Sequence, residues 1–294
     1  MPTYNRRTHL ISLYESIVNQ QFNDIQLVIT DDGSTDDTSE MISSWKKNDG
    51  ISIKHIYQEN AGRPSALKKA LMEATGEFTV IMDDDDLFVP DAFELIKSSL
   101  DDLSTNKYQI REIAGICGLC LNEEGNVIGD SFPQNEMVSS YYDIRLKKKI
   151  IGDKKEIVRT NILKDKLYRT FVNERRVPTS TLWFSISHDY DMIFINQPFA
   201  IKYYLSKGMT EKNRFLRISS PNSHIQHAIT IINSRKPSSI LMSLRYSIIL
   251  WTYFFWGGEF FSDQISRSRL WIVYSMLPFG FIFHSIERFK YRFD

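Results

Sequence analysis

Apolar positions near the start of the chain change period several times, and each change marks an element. Leu10, Leu13, Tyr14, Ile17 and Val18 recur at the i, i+3, i+4, i+7, i+8 spacing of an amphipathic helix. The run IQLVIT, Ile25 to Thr30, reads as a buried strand that stops at the turn residues DDGSTDD. Asp36 is placed to cap a helix continuing to about Lys47, and ISIKHIY is a second strand. Pro64 then opens a helix with Leu67, Ala70, Leu71 and Ala74 on one face, ended by Gly76. FTVIM is a third strand, met at once by Asp83, Asp84, Asp85 and Asp86. Asp91 to Leu103 forms another helix, with Ala92, Leu95, Ile96 and Leu100 on one side. Strand and helix in alternation predict right-handed crossovers and a mostly parallel α/β sheet, with ligands beyond the carboxyl ends of its strands. Both acidic clusters fall at such ends, so two carboxylate-rich loops are expected to face one crevice.

Signals weaken from Asn122 to Tyr142, where NEEGN reads as a hairpin turn, and MIFIN is a further strand. After Pro221 the chain turns to helices rich in Trp, Tyr, Phe, Leu and Ile. Ile240 to Trp256 is interrupted by Arg245, and Leu270 to Phe283 is broken by Pro278 and Gly280. Both fall short of the roughly 20 apolar residues that a membrane span needs. Trp251, Phe254, Phe255, Trp256 and Trp271, with Arg288, Lys290 and Arg292 beyond, suit a membrane surface. Closure of the protein's own core, or a homodimer contact, is the other reading of these residues. The expected division is a domain over 1–220, with halves 1–121 and 122–220, and a helical region over 221–294.

Composition narrows the classes of partner. The 36 basic and 36 acidic side chains cancel, which leaves no overall field for nucleic acid. Cys117 and Cys120 lie in an apolar run with no second CxxC, and read as core residues in a reducing compartment. His224 and His227 lack a third ligand and read as structural, and Lys147 to Lys149 as a solvated face. No apolar signal region opens the chain, so a cytoplasmic location is expected, peripheral on the inner face of the plasma membrane.

Four consecutive aspartates raise each other's pKa, and capping one helix accounts for only one of them. A divalent cation, Mg2+ or Mn2+, accounts for the cluster better, because it takes hard oxygen ligands and leaves positions for phosphate oxygens. The turn Asp31 to Asp36, with Gly33 making room, is either a ligand loop or purely structural.

The segments MPTYNR, VITDDGSTDDT, QENAGRPSALKKAL and GEFTVIMDDDDLF resemble, in order and spacing, the N-terminal half of glycosyltransferase family 2. The resemblance covers roughly residues 1–100. It implies a GT-A, Rossmann-like fold binding a nucleotide-diphosphate sugar. It implies that Asp32 reads the nucleotide base with Thr3 and Asn5 nearby, and that Arg63 and Ser65 lie near the donor. It makes Asp83-Asp84-Asp85 the D-x-D element, with Asp83 near the ribose and Asp85 holding the metal at the diphosphate. Inverting transfer then needs a carboxylate base opposite the leaving group, to take the proton from the acceptor hydroxyl.

Later segments, GDKKEIVRTNILKD, FVNERRVPTSTLW and INQPFAIKYYLSKGMT, resemble a subgroup found in bacterial capsule and surface-polysaccharide clusters, whose acceptors are lipid-linked or glycan. Two departures matter. Where the subgroup has V-P-E, Val177-Pro178 is followed by Thr179, so Glu174 becomes the candidate base, with Asp189 and Asp191 as other nearby carboxylates. The family's first strand also precedes P-T-Y-N, and only its last residue, Met1, is present, so that strand is expected to be truncated. No Q-x-x-R-W motif occurs, which speaks for non-processive transfer. A catalytically impaired nucleotide-sugar-binding relative and a membrane-attached assembly subunit are the rival readings.

Overall fold

The computed structural model describes residues 1–20, 22, 24–45, 51–104, 112–203, 213–234 and 239–290. The chain divides into two compact units, Met1–Leu167 with Asp189–Leu205, and Tyr168–His188 with Ser206–Asp294.

The first unit runs β1 (Pro2–Thr3), α1 (Arg7–Val18), β2 (Ile25–Asp31), α2 (Thr38–Trp45), β3 (Ile51–Tyr57), α3 (Arg63–Glu73), β4 (Phe78–Val80), β5 (Asp86–Phe88), α4 (Ala92–Ser104), β6 (Ile113–Leu121), β7 (Met137–Ser139), β8 (Lys154–Arg159), α5 (Thr160–Asp165) and β9 (Asp191–Lys202). Each helix and strand expected before residue 104 is present, within a few residues of its expected ends. Lys46 and Lys47 lie outside the described residues.

The sheet differs from a single parallel one. β1, β2 and β3 form a parallel sheet in that order, with Leu27 opposite Ile53 and Thr30 opposite Ile56. β4, β8, β6, β9 and β5 form a second, mixed sheet, and β7 pairs with β9. Only β6 and β9 are parallel there. The third strand of the repeating pattern, β4, therefore joins a partner more than seventy residues later, Phe78 opposite Arg159, in antiparallel pairing. Period-2 patterning specifies which face a strand buries, but it does not specify its neighbour or direction. The first strand, β1, is two residues long, with Pro2 opposite Thr30 and Thr3 opposite Asp31.

Leu10, Leu13, Tyr14 and Ile17 of α1 pack with Leu27 and Ile29 of β2, Ile42 of α2 and Phe88 of β5. Ile116, Ile157, Ile193 and Phe199 make a second cluster on which Leu95, Ile96 and Leu100 of α4 pack. Cys117 and Cys120 are buried free thiols. NEEGN is a turn as expected, its Asn122 N–H donating to the Asn126 carbonyl at 2.8 Å.

The second unit holds α6 (Ser180–Ile186), α7 (Asn213–Ile218), α8 (Pro221–Ile232), α9 (Ser239–Phe255), α10 (Arg267–Ser275) and α11 (Leu277–Lys290). This boundary is not the expected one at residue 220. Residues 168–188 fold with the C-terminal helices because α6 packs on α8, with Thr181 Oγ1 and His227 Nδ1 at 2.9 Å. Ile225, Ile229, Ile232, Trp251, Phe261 and Val273 form the core of this unit. Trp251 is buried and donates to the Val273 carbonyl at 2.6 Å. It serves this core, as do parts of Phe254 and Phe255. His224 and His227 are structural as read: burial lowers their pKa values to about 4 and about 3, and keeps both neutral.

Candidate functional site

The two acidic loops lie at strand ends in the first unit, one at the end of β2 and one after β4. Short polar contacts join them to the first loop. Asp31 is fully buried and binds its own turn, accepting from the Ser34 N–H at 2.8 Å and the Ser39 hydroxyl. Gly33 has φ +80, and a Cβ there would lie 2.9 Å from the Asn60 nitrogen, so the turn requires glycine. Asn5, at φ +50, donates from its backbone N–H to Ser34 Oγ and accepts from the Thr35 N–H at 2.8 Å. Asp36 caps α2 through the Thr38 N–H.

Asp32 is buried, and its carboxylate holds the 58–62 segment. Oδ1 accepts from Gln58 Nε2 and the Ala61 N–H, and Oδ2 accepts from the Gly62 N–H at 2.9 Å. These contacts place Gly62, at φ +91, as the residue that opens α3. Arg63 and Ser65 then occupy its first turn.

Arg63 binds Asp83 through Nε and Nη2. Thr3 donates to Asp84 Oδ2 at 2.8 Å, which ties the first loop to the second acidic cluster. Asp86 is fully buried between Lys155 Nζ at 3.3 Å and Lys202 Nζ at 2.9 Å. Lys202 also lies 3.7 Å from both Asp83 and Asp153. Thr3, Asn5, Arg63, Asp83 and Asp84 are thus gathered around the two loops.

The four aspartates are electrostatically unequal. Burial would raise the Asp83 carboxyl, but Arg63, Lys202 and Lys155 together hold it well below the usual range. Burial pushes Asp84 up to about 7, against the hydrogen bond from Thr3. Burial, then Asp86 and Asp83, raises Asp85. Among the described residues Asp85 makes no direct hydrogen bond or ion pair, and it feels Arg6 and Lys202 only at longer range. No three acidic, histidine or cysteine side chains converge as an all-protein metal cage among the described residues. An uncompensated carboxylate in an acidic run fits a cation held by one or two carboxylates, its other positions left for phosphate oxygens.

Lys155, Lys202 and Asp153 were not identified from the sequence. They reach the acidic loop through β8 and β9, whose pairing no local pattern announces. The one available signal was charge on buried strand positions, Lys155 within KKEIVR and Lys202 at the end of an apolar run.

Glu174 and Thr179 belong to the second unit. Glu174 is buried, and its oxygens accept from the Asn222 N–H at 2.8 Å, the Ser223 N–H at 2.7 Å and the Ser223 hydroxyl at 2.6 Å. It caps α8 from a distant part of the chain, supplying an anion to otherwise unpaired N–H groups. Asp189 pairs with Lys166 at 3.0 Å. Thr179 is the half-buried residue that precedes α6. Replacing Glu174 by Gln removes charge from three donors, and is expected to lower the stability of this unit by about 1–3 kcal/mol. Thermal unfolding checks this.

Comparison with known proteins now bears on the site. Residues 1–114 match the family model described as Glycosyl transferase family 2. The matched segment contains every residue of both acidic loops. The chain is 35% identical over 131 residues to GalNAc(5)-diNAcBac-PP-undecaprenol beta-1,3-glucosyltransferase of Campylobacter jejuni, covering 43% of this chain and 39% of that protein. It is 37% identical over 106 residues to abequosyltransferase RfbV of Salmonella typhimurium, covering 34% of this chain and 31% of that one. The matched segments therefore span well under half the length of these relatives. The fold is similar to that of S. aureus TarS 1-349 in complex with UDP-GlcNAc, with TM-score 0.61 and 17% identity over 86% of this chain and 70% of that one. It is also similar to mannosyltransferase PcManGT from Pyrobaculum calidifontis in complex with GDP-Man and Mn2+, with TM-score 0.54 and 19% identity over 95% of this chain and 71% of that one. The fold is accordingly that of the GT-A glycosyltransferases, as the sequence motifs implied.

Proposed function

We propose that the chain is a non-processive, inverting glycosyltransferase. It moves a sugar from a nucleotide-diphosphate donor, UDP-linked, to a lipid-linked or glycan acceptor in surface-polysaccharide synthesis. The observation that carries this reading is Asp85, a carboxylate of raised pKa that has no direct partner among the described residues, beside Asp83 and Asp84 at the strand ends of the segment that matches the family 2 model. The relatives' names, which include a transferase to an undecaprenol-linked glycan, support the acceptor class.

In this reading Asp32 and Asn5 hold the base-side loop rigid, and Arg63 fixes Asp83 towards the ribose. Ser65, in the first turn of α3, lies on the donor side. Asp85 holds Mn2+ or Mg2+, with Asp84 alongside. When bound, that cation offsets the charge that develops on the departing diphosphate. Lys202 and Lys155 neutralise Asp86, and so keep a fourth negative charge away from the phosphates. Release of UDP from a panel of UDP-sugars in the presence of manganese and a lipid-linked glycan tests the reading. No release above background with any donor would overturn it.

A second reading, a binding relative with impaired catalysis, is favoured by one observation. The nearest acidic candidate for the base, Glu174, spends both oxygens on α8, and position 179 offers only a hydroxyl.

Attachment to the inner face of a membrane, without spanning, is part of the proposal. Trp271, Phe279, Phe281, Phe283 and Phe289 of α10 and α11 are each more than half exposed, with Arg288 and Lys290 at the end of α11. Arg292 lies outside the described residues. Among the described residues no single helix is long and apolar enough to cross a membrane, although α10 and α11, bent by 50°, reach that length together. Carbonate is expected to release the protein from membranes. Retention would mean that the bent pair spans, and release into salt-free buffer without carbonate would remove the membrane from the proposal.

A further inference from the structure

Asp86 opens β5 directly opposite Lys202, the last residue of β9. The Lys202 ammonium lies 2.9 Å from Asp86 and 3.7 Å from both Asp83 and Asp153. Asp86 also has Lys155 at 3.3 Å, and Asp83 has Arg63. Asp86 is fully buried and the Lys202 side chain is only 16% exposed, so little water screens their contact. Among the described residues, three carboxylates of this unit are thus met by three cations of the same unit. Asp84 accepts from Thr3, which leaves Asp85 as the member of the run with no direct partner there.

This balance bears on how a divalent cation is held. Such a cation needs oxygen ligands whose charge is not already answered, and one or two carboxylates hold it only when phosphate oxygens complete its shell. Arg63, Lys155 and Lys202 answer Asp83, Asp86 and Asp153, and no cage of three ligands exists among the described residues. A nucleoside diphosphate brings both the missing oxygens and fresh negative charge. Lys202 is singled out because it touches all three carboxylates, and because its removal still leaves Asp86 with Lys155.

We propose that Lys202 is a positioning residue that sets the order in which the site fills. Its ammonium compensates Asp83, Asp86 and Asp153 in the free protein, so that the divalent cation is held only together with the nucleoside diphosphate. The inference rests on the donor-site reading above. Linkage makes it measurable: UDP must raise manganese affinity by the same factor as manganese raises UDP affinity. That factor is large when the free site refuses the metal, and shrinks once Lys202 no longer occupies the carboxylates.

The test titrates the full chain with manganese chloride in a calorimeter, without and with saturating UDP. Wild type is expected to bind manganese alone with a dissociation constant of about 1 mM or weaker, and UDP to tighten this by about a hundredfold. Lys202→Met is expected to bind manganese alone about tenfold tighter or more, with the UDP factor reduced about tenfold. A structural loss would move manganese affinity the other way. Lys202→Gln, which keeps a donor for Asp86, repeats the measurement should the methionine variant not fold. Adding Asp86→Asn to Lys202→Met restores the balance of charge, and is expected to return both quantities to wild-type values. Unchanged manganese binding in the single variants, tight binding of manganese alone by wild type, or tight binding by the double variant overturns the proposal while the donor-site reading stands. A UDP factor of one in wild type would instead remove the metal from that reading, and this proposal with it.

Discussion

Asp85→Ala is expected to abolish the manganese-dependent part of UDP binding while the protein stays folded. The side chain is part-buried, and among the described residues makes no direct hydrogen bond or ion pair, so its removal leaves no donor unsatisfied. What it loses is attraction for the cation. Two unit charges about 4 Å apart near a protein surface interact by about 4 kcal/mol, which is roughly a thousandfold in affinity. Without metal the sign reverses, because Asp85 then repels the diphosphate, and the alanine variant is expected to bind UDP no worse than the wild type in EDTA. Calorimetric titration with UDP, in manganese and in EDTA, reads both effects. If the wild type binds UDP equally under the two conditions, or if Asp85→Ala binds as well as the wild type in manganese, the metal reading fails.

If Thr179 holds the place of the glutamate in the V-P-E subgroup that the chain resembles, Thr179→Glu is expected to raise sugar transfer by about a hundredfold or more, because a positioned general base contributes about 10² to 10⁴. UDP affinity should stay as it is, since the acidic loops proposed to bind the donor belong to the other unit. The substitution is compatible with the local fold. Position 179 is half-buried directly before α6, and a carboxylate at a helix N-terminus is favourable by about 0.3–1 kcal/mol. Glu174→Gln supplies the contrast. As the cap of α8 it should lose stability while transfer, normalised to folded protein, is retained; loss of transfer at unchanged stability would make Glu174 the base. A wild type that transfers nothing, but gains transfer with Thr179→Glu, would favour the binding-relative reading. No change with either substitution in a protein that does transfer sugar would place the base on another residue.

The acidic loops were legible because their chemistry is local. DDGSTDD and DDDD each sit at the end of an apolar run, and the capping of α2 by Asp36 and the opening of α3 near Pro64 follow from neighbours a few residues away. The partners of the acidic loop were not legible. Lys202 reaches Asp86 from a strand more than a hundred residues later, and the order β4, β8, β6, β9 that brings it there is set by long-range pairing. Glu174 shows the same limit. Between Asn173 and Arg175 it reads as a surface charge or a base, and only the position of α8 in the folded unit turns it into a cap.

The sequence by itself determined which segments are helix or strand up to residue 104, and which short motifs carry acid at strand ends. Periodicity, capping and turn chemistry act within a few residues. The tertiary structure alone decided the direction in which β4 pairs, the burial of Asp86 between two lysines, and that Asp85 has no direct partner among the described residues. It also decided that residues 168–188 fold with the C-terminal helices. Each of these depends on contacts between distant parts of the chain, where the gain from burial and pairing outweighs any local preference.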